Sequence, residues 1–202
     1  MKKNLVLVLS SVLLVVMLSG CGVLGALVNA NEFVGTWETT VDLTDSINKE
    51  IESVGVAIDE FEITLVYTFN IDGTYKAEPD MDALENSFNA LIDQLVDEME
   101  KVVQGYGMSV ADYEAQAGIS LRDAVKATYN QEMLDTLADG MTSEGNFKAE
   151  DGKLFMSDGL ENGIDEEIYE TYEMDGDEFR LLTAVGQNVD ESIYPMIFKK
   201  VK

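Results

Sequence analysis

An α+β fold is predicted: an antiparallel β-meander, closed as a barrel or left as a strongly curved sheet, with a helical insertion. Three observations predict it. Apolar and polar residues alternate along Phe61–Ile71, and short strand-like runs return after Ser143, the period of a sheet with one buried face. Asp-Gly pairs mark hairpin turns between neighbouring runs. Between the two groups, Leu84, Phe88, Leu91, Leu95, Met99 and Val102 recur every three or four positions, the period of an amphipathic helix.

The chain begins with Lys2 and Lys3, an apolar run Leu5–Leu18, and then Leu18-Ser19-Gly20-Cys21. The run is shorter than the about 20 residues a permanent membrane helix needs. The order of charge, apolar run and small residues is that of an export signal. Its end resembles the lipobox of bacterial lipoproteins. That resemblance implies that residues 1–20 are a signal peptide and that Cys21 is lipid-modified, with acyl chains such as palmitate. It places the mature protein on the extracytoplasmic face of a cell membrane, held there through Cys21. Each buried methylene contributes about 0.8 kcal/mol, so two or three chains hold firmly. Residues 21–32 are short, small and poor in charge, and read as a tether. The domain proper is 33–202, with the helical insert at 80–140.

Composition removes whole classes of function. The formal charge is −26, and Lys2 and Lys3 leave with the signal. Such a chain repels nucleic acid and anionic headgroups. The acids are spread along the sequence, a distribution that serves solubility. There is no histidine, hence no histidine-based triad and no histidine metal ligand. Cys21 is the only cysteine, so the domain holds neither a disulfide nor a thiol nucleophile. No cofactor motif is present, and no catalytic residue stands out among so many carboxylates; the chain reads as a non-enzyme.

Taken in order, Phe33–Leu43 reads as the first strand, with Gly35, Trp37, Thr39, Val41 and Leu43 on one face. Thr44–Val54 reads as a short helix capped by Thr44 or Asp45, with Ile47, Ile51 and Val54 on one side. Phe61–Ile71 is a strand with Phe61, Ile63, Leu65, Tyr67, Phe69 and Ile71 on its apolar face. Asp72-Gly73 turns the chain, because glycine accepts the positive φ of a hairpin turn, and Thr74–Glu78 returns. Asp80 or Asp82 starts the long helix, and Gly105-Tyr106-Gly107 ends it. Ser109 caps a helix ending near Gly118. Ser120 caps another reaching Ala138, with Val125, Tyr129, Met133 and Leu137 as its stripe and Gly140 as its C-cap. Strands then follow at Gly145–Glu150, Lys153–Ser157, Glu167–Met174, Glu178–Val185 and Ile193–Val201. In the hairpin at Gly176, a loop of Gly176-Asp177 sets Glu173 against Arg180. A loop one residue earlier would set Glu173 against Glu178, and like charges face to face are unfavourable, so the first register is expected.

Phe33-Val34-Gly35-Thr36-Trp37 resembles the opening motif of lipocalin-like (calycin-type) proteins. The hairpin from Tyr67 to Tyr75, the segment Gly145–Met156 and the last strand Phe198-Lys199-Lys200-Val201 are similar to elements of bacterial lipoproteins of that type. The resemblance covers residues 33–79 and 143–201. It implies that Trp37 closes one end of a barrel beside a basic residue from a late strand, with Arg180 the candidate. It also implies a lipid-anchored binding module that buries a small apolar or amphipathic molecule between the concave sheet and the insert helices. Tyr67, Phe69 and Tyr172 are the candidate ligand contacts. The alternative is an envelope protein-interaction or scaffold module with a fully packed interior.

Two acidic features remain. Residues 158–167, from Asp158 to Glu167, form the best cation-binding candidate, but their spacing departs from an EF-hand and they read as a solvated loop, so no metal ligand is assigned. Glu170 shares a face with Ile168, Tyr172 and Met174. Burial there would be costly without a partner; Glu170 either orients a cationic ligand or lies at an exposed strand end, and the exposed strand end is the expectation.

Overall fold

In the computed structural model, residues 32–201 are described, apart from 53–54 and 188–192. The expected signal peptide, Cys21, the expected tether up to residue 31 and Val54 lie outside them. Eight strands run antiparallel in sequence order and close into a barrel. They are β1 (Gly35–Asp42), β2 (Glu62–Phe69), β3 (Thr74–Pro79), β4 (Ser143–Glu150), β5 (Lys153–Met156), β6 (Tyr169–Asp175), β7 (Glu178–Val185) and β8 (Met196–Lys200). Closure is made by β1 on β8, with Trp37 opposite Lys200 and Glu38 opposite Lys199. Of the barrel and the open curved sheet, the chain adopts the barrel.

Five helices are described: α1 (Thr44–Ile51), α2 (Met81–Gly105), α3 (Val110–Ala117), α4 (Leu121–Thr128) and α5 (Gln131–Met141). Side chains close several of their free N–H groups. Asp80 accepts from Ala83, Ser109 from Asp112, Ser120 from Asp123 and Asn130 from Met133. α2 packs on β2 and on α3, α4 and α5, while α5 also meets β3. Gln94 pins the approach to β2 onto α2: its Oε1 accepts from Asp59 N at 2.6 Å and its Nε2 donates to the Glu60 carbonyl at 2.9 Å.

Local expectations needed four corrections. Ile71 is 77% exposed, because β2 ends at Phe69 and the turn carries Ile71 off the sheet. The helix expected from Ser120 to Ala138 is two helices, because the chain extends at Tyr129 and Asn130 caps anew. Gly140 lies inside α5 and is not its cap. The first turn of α1 has no side-chain cap; Asp42 Oδ1 instead accepts from Thr44 N at 2.8 Å, just outside it. The β6–β7 hairpin has the expected register, with Glu173 opposite Arg180, Tyr172 opposite Leu181 and Met174 opposite Phe179.

The strand directions sort the connections by end. Three short turns, near Asp72, Asp151 and Gly176, share one end of the barrel. The helices and the longer segment before β6 gather at the other. At the turn end the interior is filled by aromatic rings. Phe33 meets Phe69 (5.5 Å between centroids), Tyr172 (4.7 Å) and Phe179 (5.0 Å), and Phe179 stacks on Phe198 at 4.3 Å. An eight-stranded barrel has an interior just wide enough to be filled by side chains or to hold one small ligand. Here side chains take the turn end.

Trp37 is fully buried and donates its indole N–H to the Phe33 carbonyl at 2.6 Å. The basic group beside it is not Arg180. Arg180 lies between two inward residues, Phe179 and Leu181, so it points outward, where it pairs with Glu178 at 2.8 Å. Lys200 shares its strand face with Phe198 and Met196, and its Nζ sits 4.9 Å from the Trp37 ring centroid. Gly35 makes room for it: a Cβ there would stand 2.9 Å from Lys200 Cε.

Candidate functional site

Among the described residues, two cavities on the helix-bearing side of the molecule are candidates. The larger is a groove of about 520 Å³ among the helices. Ile51 of α1 and Val56 form one wall. Leu95, Met99, Val102 and Val103 of α2 form the floor, and Tyr106, Met108, Tyr113, Val125 and Tyr129 complete it. These residues face one way because α2 is amphipathic over its whole length. Its N-terminal half spends the stripe on the barrel: Leu84, Phe88, Leu91 and Ile92 are buried in the common core. Beyond Leu95 the stripe continues past the β-sheet, and only short helices meet it. α1 ends at Ile51 and α3 contributes no buried residue, so the stripe there is left partly uncovered. Val102 is exposed and Tyr106 is 84% exposed. Contiguous apolar surface of this kind marks a contact site for an apolar partner.

The smaller cavity, about 50 Å³, lies at the helix end of the barrel interior. Tyr67, Tyr75, Ser143, Leu154, Ser157, Glu170, Leu181 and Met196 border it, and Asp158, Tyr169 and Gln187 stand at its mouth. Glu170 is 7% exposed, against the expectation of an exposed strand end. It is the second residue of β6, opposite Leu154 and Ala184, and barrel closure turns its side chain inside. Its Oε1 accepts from the Tyr194 hydroxyl at 2.6 Å. Burial pushes its carboxyl up to about 7, and the Tyr194 hydrogen bond opposes only part of that. Burial also raises the Tyr67, Tyr75 and Tyr194 phenols, so they stay neutral near pH 7.

The three residues chosen from sequence do not converge. Tyr67 borders the small cavity. Phe69 is enclosed by rings, at 4.8 Å from Phe147 and 5.5 Å from Phe33, and borders neither cavity. Tyr172 is half-buried against Phe33 at the turn end and donates its hydroxyl to Glu32 Oε1 at 2.7 Å. Sequence reasoning missed the groove. Its signal was present in the α2 stripe, which outruns the strands it packs on.

The 158–167 segment is held by the protein's own groups. The side-chain amide of Asn146 donates to the carbonyls of Leu160 (3.0 Å) and Asn162 (2.9 Å), and Asn162 donates to the Asp158 carbonyl. Glu166 pairs with Lys148 at 3.1 Å. Among the described residues no group of three or more acidic or cysteine side chains converges as a metal site.

No family model, no curated protein and no solved structure matches the chain.

Proposed function

We infer that this is a lipid-anchored binding module of the cell envelope, lipocalin-like in its barrel, which takes a small apolar or amphipathic molecule in the groove of its helical insert. The barrel acts as a platform and no reaction is assigned to it. The single observation that carries the reading is the 520 Å³ apolar groove over α2. Its size is that of sites that enclose drug-sized ligands, about 300–1,000 Å³. Its rim supplies the polar end of an amphipathic ligand with phenols, since Tyr106, Tyr113 and Tyr129 all border it. The anchor rests on the lipobox resemblance of residues 18–21. Among the described residues no helix is long and apolar enough to cross a membrane.

The test is titration of the mature chain with the fluorescent apolar probe N-phenyl-1-naphthylamine, together with solvent extraction and mass spectrometry of protein purified from its host. Val102→Glu places a charge on the α2 floor of the groove at an exposed position, so the fold survives it. Saturable binding that falls at least tenfold in this variant, as expected for an uncompensated charge beside an apolar ligand, supports the reading. Probe binding unchanged by Val102→Glu and by the groove-filling Met99→Trp, with nothing extracted, would overturn it in favour of a protein-contact module.

A further inference from the structure

Glu170 is the one buried carboxylate among the described residues, and its second oxygen is unused. Oε1 takes the Tyr194 hydroxyl, while Oε2 is buried with no hydrogen-bond partner. No ion pair among the described residues involves it; their acidic members are Glu78, Glu98, Asp93, Glu150, Glu166 and Glu178. Ser143 borders the same 50 Å³ cavity, and its Oγ is also buried without a partner. Tyr75 is already committed, donating to the Ser157 carbonyl at 3.0 Å. A buried polar atom left unsatisfied costs about 1–3 kcal/mol, and more when charged. The unused carboxylate oxygen calls for a donor, and the Ser143 hydroxyl on the same cavity, next to Tyr75, can accept from one as well as donate.

The chemistry of the wall selects the donor. A divalent cation wants six or more oxygens, far more than one carboxylate and a few hydroxyls supply. Water would satisfy a lone pair but brings no charge. An ammonium group brings three N–H donors and the positive charge that the site lacks. The remaining wall, Leu154, Leu181 and Met196, suits the carbon that an ammonium group carries. A water needs about 10–15 Å³ of such space, so the cavity has room for a group of two or three heavy atoms. Access also favours a cation: Asp158 stands at the mouth, and the whole chain is strongly acidic.

We propose that this cavity receives the primary ammonium group of a small amine or amine-bearing ligand, with Glu170 as its counter-ion and Ser143 Oγ as a further acceptor. The titratable groups around it are Tyr67, Tyr75, Tyr169 and Tyr194, with Asp158 at the mouth. Burial keeps the Tyr67, Tyr75 and Tyr194 phenols neutral at working pH, so Glu170 supplies the charge inside the cavity. None of the groove residues takes part, and the proposal stands or falls separately from the apolar site.

The test uses the full chain in mild detergent and methylammonium chloride as the probe, with equal concentrations of sodium chloride and tetramethylammonium chloride as controls. Two readouts apply: binding followed by thermal stability, and the ¹³C carboxyl resonance of Glu170. Methylammonium is expected to raise the melting temperature above the sodium control, while tetramethylammonium, which has no N–H, is not. Because the carboxyl titrates at about 7, the apparent affinity should fall about tenfold between pH 8 and pH 6. Glu170→Gln should lower affinity at least tenfold at pH 8, and methylammonium should move the titration midpoint of wild-type Glu170 downward. Equal responses to methylammonium and sodium would mean a cavity holding water only. Equal responses of wild type and Glu170→Gln, or an unmoved carboxyl midpoint, would place any binding elsewhere. Each of these outcomes overturns the proposal.

Discussion

Replacing Glu170 by Gln should remove a pH dependence whose size and sign follow from burial. The carboxyl is displaced from its ordinary 4.5 to about 7 in the folded protein. Desolvation is the main cause, and the Tyr194 hydrogen bond works against it. In the unfolded chain the group loses its proton near 4.5. Between that pH and 7 the folded state holds a proton that the unfolded state has released. Stability therefore falls as pH rises through this window, by about 1.4 kcal/mol per unit, and is level above it. The shift amounts to about 3 kcal/mol between pH 4 and pH 8. Other carboxylates titrate over the same range, so the quantity to read is the difference between wild type and Glu170→Gln, which cancels them. The amide keeps the shape of the carboxyl and still accepts from the Tyr194 hydroxyl. The assay is urea unfolding at a series of pH values in amine-free acetate and phosphate buffers, which keep small ammonium ions away from the cavity. The variant should match wild type near pH 4 and exceed it by about 3 kcal/mol at pH 8. A difference that changes by less than about 1 kcal/mol across that range would refute the buried, unpaired carboxylate.

Gly145→Ala should destabilise the barrel by about 3 kcal/mol or more, read as a lowered urea midpoint, because the new Cβ would stand 2.0 Å from the Ser157 carbonyl oxygen and backbone on both sides cannot retreat cheaply. Trp37, the only tryptophan, should emit as a fully buried indole and resist acrylamide quenching until the barrel unfolds; quenching in the native protein would contradict its place beneath Lys200. Lys200→Met should cost about 0.5–1 kcal/mol, the scale of a cation–π contact at a partly exposed site, whereas Arg180→Met should be close to neutral because its Glu178 pair is exposed. Cys21→Ser should abolish incorporation of labelled palmitate and release the protein from the membrane fraction; retention of label would refute Cys21 as the acceptor.

What could be read from sequence was local, and what could not was closure. Alternation along Phe61–Phe69 and the charge argument at Glu173 and Arg180 need only neighbouring strands, and the structure has that hairpin register. Serine caps at Ser109 and Ser120 were legible for the same reason, since their partners lie three residues on. Pairing of Trp37 with Lys200 joins the two ends of the domain, and no local pattern encodes it. Two errors share that origin. Arg180 was named as the basic partner of Trp37 although its neighbours Phe179 and Leu181 point inward, which sends Arg180 outward. Glu170 was given to solvent although it shares a face with Tyr172 and Met174; only a closed barrel makes that face an interior. Asn146 was missed because its task, holding the carbonyls of Leu160 and Asn162, depends on a strand meeting a loop fourteen to sixteen residues away.

Filling one end of a small barrel decides where binding can occur. Eight strands enclose little space, and Phe33, Phe69, Phe147, Phe179 and Phe198 consume it around the turns. A ligand chamber running the length of the barrel would have to compete with that cluster, where aromatic pairs add about 0.5–1.5 kcal/mol each beyond their burial. The helical insert escapes the constraint because α2 is longer than the barrel surface it covers. Its first turns complete the core through Leu84 and Phe88, and its last turns present Met99 and Val102 to the groove. A substitution that shortens this overhang, such as Met99→Pro, should therefore destroy probe binding while leaving the shielded Trp37 emission of the turn end intact. Loss of both together would show that groove and barrel form a single cooperative unit and that the platform description is wrong.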